Sequence, residues 1–305
     1  MQLIIYFIGS IQQGLLYGIM AMGIYITFRI LNIPDLTVDG SFTLGMAVAA
    51  VFTIAGHPIL ALLLATICGA VAGSVTGFLQ TKAGIHPILA GILVMTGLYT
   101  VNLAVMDGKS NLSLFNKVTL FTEMEKMFPS KYSVGKSLVV LAVAVIIILL
   151  LILFFKTRLG LAIRATGDNE DMVRSSSINA GITKVIGLAL GNACVALTGA
   201  LVSQHQVSAD MGYGKGMIVI GLAAVIIGET ILGKRSVTFG FVTAVVGSVV
   251  YYLIRAVVLK YSAFPSYAFN LITVVIVAVA LSLPTISSNM KQNKIRREGK
   301  SYAGT

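Results

Sequence analysis

The chain has 305 residues, of which 57% are apolar and 11% are charged, and its formal net charge is +11. Soluble domains carry about 25% charged residues, so this composition excludes a soluble enzyme and a disordered scaffold. A protein with a single membrane anchor is excluded as well, because apolar runs recur from one end of the sequence to the other. The composition predicts an all-α, polytopic helical membrane protein.

Apolar runs long enough for membrane helices follow one another along the chain. Crossing about 30 Å of hydrocarbon takes about 20 helical residues. Runs of this kind lie at about 3–28, 36–56, 58–79, 87–106, 137–155, 185–206, 216–233, 237–256 and 266–286. We therefore expect about 8–9 transmembrane helices in a single membrane domain, residues 1–287, followed by a basic tail at 288–305.

Lysine and arginine residues fall mainly between the apolar runs and in the tail. This distribution sets membrane orientation and does not indicate nucleic-acid binding. With the tail placed in the cytoplasm, the loop at 156–184 also lies there, together with most of the 22 basic residues. The C-terminus is then cytoplasmic, and the N-terminus and the loop at 107–136 are outside.

The segment at 31–40 interrupts the apolar pattern after the first run. The apolar stretch that follows, 41–56, has only 16 residues, too few for a span unless part of 31–40 lies at membrane depth. Irregular backbone is tolerated there only where it is buried in protein or lines a cavity. We therefore expect a broken helix near 31–40, whose ionisable residues are functional by default. In the alternative, Asp35 and Asp39 lie among the inner headgroups, where Asp35 pairs with Arg29 or caps the next helix.

The loop at 156–184 has the pattern of two short helices. The sequence predicts a turn at Gly167 and Asp168, a second helix with Asp168 as its N-cap, and a stop at Asn179. Apolar residues alternate with charges in both helices, which suits a helix that docks into a groove on another protein. The alternative is a solvated linker that happens to be helical.

Four segments, in the same order along the chain, resemble permeases of the branched-chain amino acid and ribose class of bacterial ABC importers. They are LLYGIMAMGIYITFRILNIPDLTVDGSFTLGMAVA, TKAGIHPILAGILVMTGL, AIRATGDNEDMVRSSSINAGITKVIGLALGNACVALTGAL and GMIVIGLAAVIIGETILGKRSVTFGFVTAVVGSVV. Between their first two helices, branched-chain permeases usually carry a neutral or histidine-containing segment, whereas this chain has Asp35 and Asp39 there. The chain is therefore more similar to a single-permease subgroup associated with aromatic amino acid uptake.

The resemblance implies a membrane-spanning importer subunit in the bacterial cell (inner) membrane, in contact with membrane lipid. Its implied partners are a cytoplasmic ABC ATPase that carries ATP and Mg²⁺, an extracellular or periplasmic solute-binding protein, and a second copy of the permease. A cytoplasmic coupling helix would contact the ATPase through Asp168, Asn169, Glu170, Met172, Val173, Arg174, Ser175, Ser176, Ile178 and Asn179. The solute pathway would include Asn32, Asp35, Thr37, Asp39, Asn192 and Gln204. The implied solute is an amino acid, aromatic before branched-chain.

The sequence predicts no enzymatic activity in this chain. The run from Gly228 to Arg235 matches a phosphate-binding loop except at its last residue, where arginine replaces the magnesium-binding Ser or Thr, and no strand precedes it. The three histidines are scattered and show no metal-ligand spacing, so we expect no metal and no cofactor in this chain. The alternative function is an ion-coupled secondary transporter that uses Asp35 and Asp39.

Overall fold

A computed structural model describes residues 2–128, 134–176, 178–234 and 236–261, and the single positions 275, 278 and 282. The helices are α1 (Gln2–Ile24), which continues as a π-helical turn (Tyr25–Ile30), α2 (Val38–Ile54), α3 (Pro58–Thr81), α4 (Pro87–Val105), α5 (Leu120–Met127), α6 (Val134–Phe155), α7 (Arg158–Asp168), α8 (Glu170–Ser175), α9 (Ala180–Gln206), α10 (Met217–Leu232) and α11 (Val237–Tyr261). Two strands, β1 (Asn111–Ser113) and β2 (Ser208–Asp210), complete the described part of the chain. Most of the expected span at 266–286 and the whole of the tail at 288–305 lie outside the described residues.

The helical, polytopic architecture expected from the composition is confirmed. Within the described ranges, six helices are long and apolar enough to cross a membrane, namely Ile5–Ile30, Pro58–Thr81, Pro87–Val105, Val134–Phe155, Ala180–Gln206 and Val237–Lys260. The expected runs at 36–56 and 216–233 instead form the shorter apolar helices α2 and α10. The break expected near 31–40 is present, since the backbone from 31 to 37 contains no helix.

Two segments of the described chain, here called the two halves, have the same order of elements, and α4 to α8 lie between them. The first half has a long helix (α1 with its π turn), an irregular segment (31–37), a short helix (α2) and a long helix (α3). The second half repeats this order with α9, the segment 207–216, α10 and α11. Such internal repeats are common in membrane transporters.

The long first helices of the two halves, α1 and α9, run antiparallel. Gln12 near the start of α1 contacts His205 near the end of α9, whereas Leu31 lies against Gly187 near the start of α9. The two helices approach closely at Gly23 and Gly191, where a Cβ on Gly23 would collide with the Gly191 carbonyl oxygen. Small residues allow such close backbone contact between membrane helices.

The short helices α2 and α10 meet at their N-termini and run towards opposite ends of the molecule. The Asp39 carboxylate on the first turn of α2 accepts hydrogen bonds from the backbone N–H groups of Gly216 and Ile218 at the start of α10. α2 ends beside the start of α3. The carbonyl of Pro58, the first residue of α3, accepts a hydrogen bond from the Gln204 side chain on α9. α10 ends beside the π turn, where Glu229 pairs with Arg29.

The two ends of the molecule are covered by different structures. At one end, here called the sheet end, β1 and β2 pair antiparallel with Asn111 opposite Asp210. The sequence did not predict this small sheet. At the other end, here called the helical-pair end, α7 lies against the π turn and α9, and α8 lies against α9.

Candidate functional site

The segment 31–37 is held in place by a buried polar network around Asp35. Asp35 is 2% exposed; its carboxylate accepts hydrogen bonds from the Thr37 backbone N–H (2.9 Å) and from the Asn192 side-chain amide (2.6 Å). The carbonyl oxygen of the same Asn192 amide accepts a hydrogen bond from the Ser41 hydroxyl (2.7 Å). Asp35 thus binds the backbone N–H of Thr37 immediately before α2. The sequence also allowed Asp35 to form an ion pair with Arg29. That interpretation is wrong, because Arg29 pairs with Glu229.

Three more of the expected pathway residues, Thr37, Asn32 and Gln204, lie in three different places. Thr37 is fully buried and its hydroxyl lies 2.8 Å from that of Thr76 on α3, so it belongs to the Asp35 network. Asn32 is exposed and has a left-handed backbone, with φ of 56°. Gln204 is at the sheet end, where it donates to the Pro58 carbonyl and accepts from the Leu120 backbone N–H.

Asp39 lies where the two halves of the chain meet. Its carboxylate is 2.8 Å from the Gly216 nitrogen and 3.0 Å from the Ile218 nitrogen. Free backbone N–H groups and the helix dipole both make a helix N-terminus attractive to a carboxylate. At Gly214 the segment before α10 passes so close to α2 that a Cβ would collide with Thr43 and with the Asp39 carbonyl. The carboxylate therefore connects α2 directly to α10.

A cavity of about 350 Å³ opens beside this junction. It is bounded by the first turns of α2, by α4 and by the segment that leads into α10. Its polar lining includes Asp39, Thr43, Asn102 and Lys215, and its aromatic lining is Tyr99. The cavity thus carries groups of both charges next to apolar surface.

At the helical-pair end, α8 is capped by Asn169 and not by Asp168. The Asn169 side chain accepts a hydrogen bond from the Met172 backbone N–H (3.0 Å), while Asp168 is the last residue of α7. The expected N-cap is therefore displaced by one residue, because α7 extends to Asp168 and leaves Asn169 as the break between the helices. The hydroxyls of Ser175 and Ser176 donate to the Met172 carbonyl and close the end of α8.

Glu170 forms two ion pairs, one within α8 and one that attaches α8 to α9. Glu170 accepts from Arg174 (2.8 Å) within the helix and from Lys184 (2.6 Å) on α9. Hydrogen bonds from Lys184 and Arg174 lower the pKa of Glu170 below its ordinary value. Asn179 caps α9 by accepting from the Ile182 backbone N–H. The expected i,i+4 pair of Glu170 and Arg174 is thus present, and Lys184 adds a connection to a long helix.

The surface of α8 and the turn after it is partly apolar. Val173 is buried, at 1% exposure, and anchors the helix, whereas Met172 is 54% exposed and Ile178 is 38% exposed. Arg174 is also exposed. Met172 and Ile178 therefore place exposed apolar side chains beside Arg174 at the helical-pair end.

α7 connects this surface to the end of the first long helix. Gly167 lies so close to the carbonyl oxygen of Ile30 that a Cβ would collide with it. The hydroxyls of Thr166 and Thr183 are 2.7 Å apart and join α7 to α9. The last turn of the first long helix, Tyr25–Ile30, is π-helical. Such π-helical turns are frequent at functional sites. α7 is therefore in direct contact with the end of the π turn.

Comparison of the whole chain with known families decides its class. Residues 6–281 match the family described as "Branched-chain amino acid transport system / permease component". The chain belongs to this permease family.

Individual relatives of the permease are similar over most of its length. It is 36% identical over 290 residues to a tyrosine transport system permease protein of Clostridioides difficile, covering 95% of both chains. It is 29% identical to the ribose import permease protein RbsC of Escherichia coli, covering 92% of this chain and 85% of the relative. An uncharacterized protein of Rickettsia prowazekii is 32% identical and covers 90% of this chain. No solved structure matches.

Several residues of the permease site were not found by sequence reasoning. Tyr99, Asn102 and Lys215 line the cavity beside Asp39, but none belongs to a recognisable motif. Asn102 offered a signal, since it is a polar residue in the otherwise apolar helix α4. Among the described residues, no group of three or more His, Cys, Asp or Glu side chains could hold a metal ion.

Proposed function

We propose that this permease is the membrane-spanning subunit of an ABC importer that moves an amino acid, aromatic before branched-chain, into the bacterial cell. A separate ATPase subunit would supply ATP and Mg²⁺, and a soluble binding protein would deliver the solute. The family match and the similarity to a tyrosine permease support this function. The preference for an aromatic solute rests on that relative.

The proposed orientation places the helical-pair end in the cytoplasm and the sheet end outside. Basic residues of the helical pair, such as Arg158, Arg164 and Lys184, support this orientation. In it, the segment 107–136, including β1 and α5, faces the binding protein. The N-terminus is outside and the C-terminus is cytoplasmic.

The exposed apolar surface of α8 is the observation that carries the proposal. A short helix whose buried Val173 faces the protein and whose exposed Met172 faces away suits insertion into a groove on the ATPase. The candidate coupling residues divide accordingly. Met172, Arg174 and Ile178 contact the ATPase, whereas Asn169, Glu170, Val173, Ser175, Ser176 and Asn179 shape and hold the helix, and Asp168 ends the preceding one.

We propose that ATPase closure moves α7 and α8 together as one lever. Gly167 transmits the movement to Ile30, and Glu170 transmits it to Lys184 on α9. The π turn and the segment 31–37 would absorb the displacement, because their backbone is already irregular. ATP would then shift the population between an outward-facing and an inward-facing packing. The permease itself carries out no covalent chemistry.

A second copy of the chain would complete the transporter as a homodimer around a shared path. Asn32, Asp35, Thr37, Asp39, Asn192 and Gln204 remain the proposed pathway residues. Their contacts support different proposed tasks for them. Asp35, Thr37 and Asn192 shape the path by fixing the broken segment, and Gln204 fixes the sheet end. Asp39 is at the junction of α2 and α10, beside the cavity.

Purification of the tagged permease from its native membrane in mild detergent tests the coupling surface. We expect an ABC ATPase to co-purify with the wild-type chain and to be lost from a Met172→Glu variant, because a carboxylate cannot enter an apolar groove without cost. Met127→Glu is the matched control, since Met127 is exposed on α5 at the opposite end. Retention of the ATPase by Met172→Glu would contradict the proposed docking surface.

A further inference from the structure

We propose that the cavity beside Asp39 is a binding site for the free amino acid in transit. The site binds both charged groups of the zwitterion. Lys215 binds the carboxylate, Asn102 and Asp39 bind the ammonium group, and Tyr99 contacts the side chain of the amino acid. This inference rests on the proposed import of an amino acid and names a site within the permease for it.

The acceptor side of the site contains an unpaired buried oxygen. Asn102 is 1% exposed, and its side-chain amide donates to the Gly40 carbonyl (3.2 Å). Its side-chain oxygen has no hydrogen-bond partner. Buried polar atoms in folded proteins are almost always paired, so an unpaired one calls for an explanation. An ammonium group, which has three donors, would satisfy it.

Asp39 adds negative charge to the acceptor side. Its two oxygens accept backbone hydrogen bonds from Gly216 and Ile218, and the Met217 N–H also interacts with the carboxylate. A carboxylate has about four acceptor positions, so capacity remains for a ligand. The Thr43 hydroxyl, which donates to the Asp39 carbonyl, lies in the same wall. The α10 N-terminus holds the carboxylate in position for the ligand.

The donor side is supplied by Lys215, an exposed lysine at the cavity. None of the salt bridges found among the described residues includes it, even though Asp39 lines the same cavity. The neighbouring Asp210 carboxylate is occupied by the Asn111 amide and the Gly212 N–H. A positive and a negative group that share a cavity without pairing match the two separated charges of an amino acid.

The size and apolar lining of the cavity suit one small solute. Its volume of about 350 Å³ lies at the lower end of the range of about 300–1,000 Å³ for ligand pockets. Met95 and the ring of Tyr99, which is 57% exposed, supply the apolar wall. The site lies where α2 and α10 meet, so a relative displacement of the two helices would change it. Substrate sites in other transporters also lie between interrupted helices.

Ligand binding to the full chain in lipid nanodiscs, without any partner, tests the site. The probes are L-tyrosine, its carboxamide and N-acetyl-L-tyrosine, and the readout is the dissociation constant from ligand-observed NMR. We expect wild-type chain to bind tyrosine more tightly than either analogue. Lys215→Gln should weaken tyrosine binding about tenfold, the effect of one charge-assisted hydrogen bond, and leave binding of the carboxamide unchanged. Lys117→Gln, at an exposed lysine away from the cavity, is the matched control.

Three further variants separate recognition from folding. Asn102→Leu should weaken tyrosine binding but not binding of N-acetyl-L-tyrosine, which lacks the ammonium group. Tyr99→Phe should retain binding, and Tyr99→Ala should lose it. Equal affinity of wild type and Lys215→Gln for tyrosine would overturn the site, as would failure of the wild-type chain to discriminate among the three probes.

Uptake by the reconstituted transporter distinguishes failure of this site from failure of the proposed function. If wild-type chain with its ATPase and binding protein imports tyrosine and Lys215→Gln imports it equally well, the site is wrong and the importer stands. If the wild-type assembly does not import an amino acid under ATP, the proposed function itself is wrong.

Discussion

Arg29 forms an ion pair with Glu229, and this contact joins the two halves of the chain at the helical-pair end. Arg29 is on the π turn that ends the first long helix, and Glu229 is near the end of the short helix α10. The Glu229 side chain is 9% exposed and is also 3.6 Å from Lys234. Glu229 thus contacts the basic residue that follows its own helix and also Arg29, which is 200 residues away in the sequence.

Loss of this ion pair should impair coupling more than folding. Arg29→Met leaves the largely buried Glu229 carboxylate with only the more distant Lys234, at a cost of about 1–3 kcal/mol. We expect reduced ATP-driven uptake with ATPase activity preserved. The exchanged double variant, Arg29→Glu with Glu229→Arg, should recover part of the uptake. Full uptake by Arg29→Met alone would show that the pair has no role in transport.

The contact between Gly167 and Ile30 predicts that Gly167→Ala separates α7 from the end of the π turn. The added Cβ would collide with the Ile30 carbonyl oxygen, and overpacking of this kind costs about 1–3 kcal/mol. We expect a lower midpoint of thermal unfolding and uptake uncoupled from ATP hydrolysis. Gly97→Ala is the matched control, because Gly97 is helical and a Cβ there has nothing within 4 Å. The prediction fails if both alanine variants behave alike.

The network of Asp35 and Asn192 should show strong energetic coupling. Asp35→Ala removes a cap from the Thr37 backbone N–H and leaves the Asn192 amide with one partner fewer. We expect a loss of about 2–4 kcal/mol of unfolding free energy. A double-mutant cycle with Asn192→Ala should give a coupling energy of about 1–3 kcal/mol. Additive effects of the two substitutions would contradict the shared network.

The lowered pKa of Glu170 predicts that acid weakens the attachment of α8 to α9. Because the folded-state pKa is depressed, its stabilising contribution is present above the ordinary carboxyl pKa and is lost as pH falls through the folded value. The contribution of the partly exposed Glu170–Lys184 pair is about 0.2–1 kcal/mol. The difference in thermal midpoint between wild type and Glu170→Gln should therefore be constant near neutral pH and vanish in acid. Glu123→Gln, at an exposed site on α5, should show no such difference.

Sequence reasoning succeeded where the physical signal is local. Apolar length located the six described helices that are long enough to cross a membrane, and the short stretch after Gly40 indicated the broken helix. Asn169 was missed as the N-cap of α8 because Asp168 and Asn169 are both good caps. The choice between them depends on where α7 ends, and packing of Gly167 against Ile30 contributes to that.

The tertiary partners of the site could not be predicted from one sequence. Asp39 binds Gly216 and Ile218, which are more than 170 residues away. No pattern in the sequence links those positions, since backbone N–H groups are present at every residue except proline. Asn102 and Lys215 reach the same cavity from different elements. Asn102 is on α4 and Lys215 precedes α10, so only the packing of the whole chain brings them to one cavity.

Tyrosine uptake into proteoliposomes that hold the permease with its ATPase and binding protein tests the central claim most directly. We expect uptake that requires enclosed ATP, does not need an ion gradient, and is abolished by Met172→Glu in the permease. Uptake that persists without ATP and follows a proton or sodium gradient would contradict an ATP-driven importer and favour a secondary transporter that uses Asp35 and Asp39.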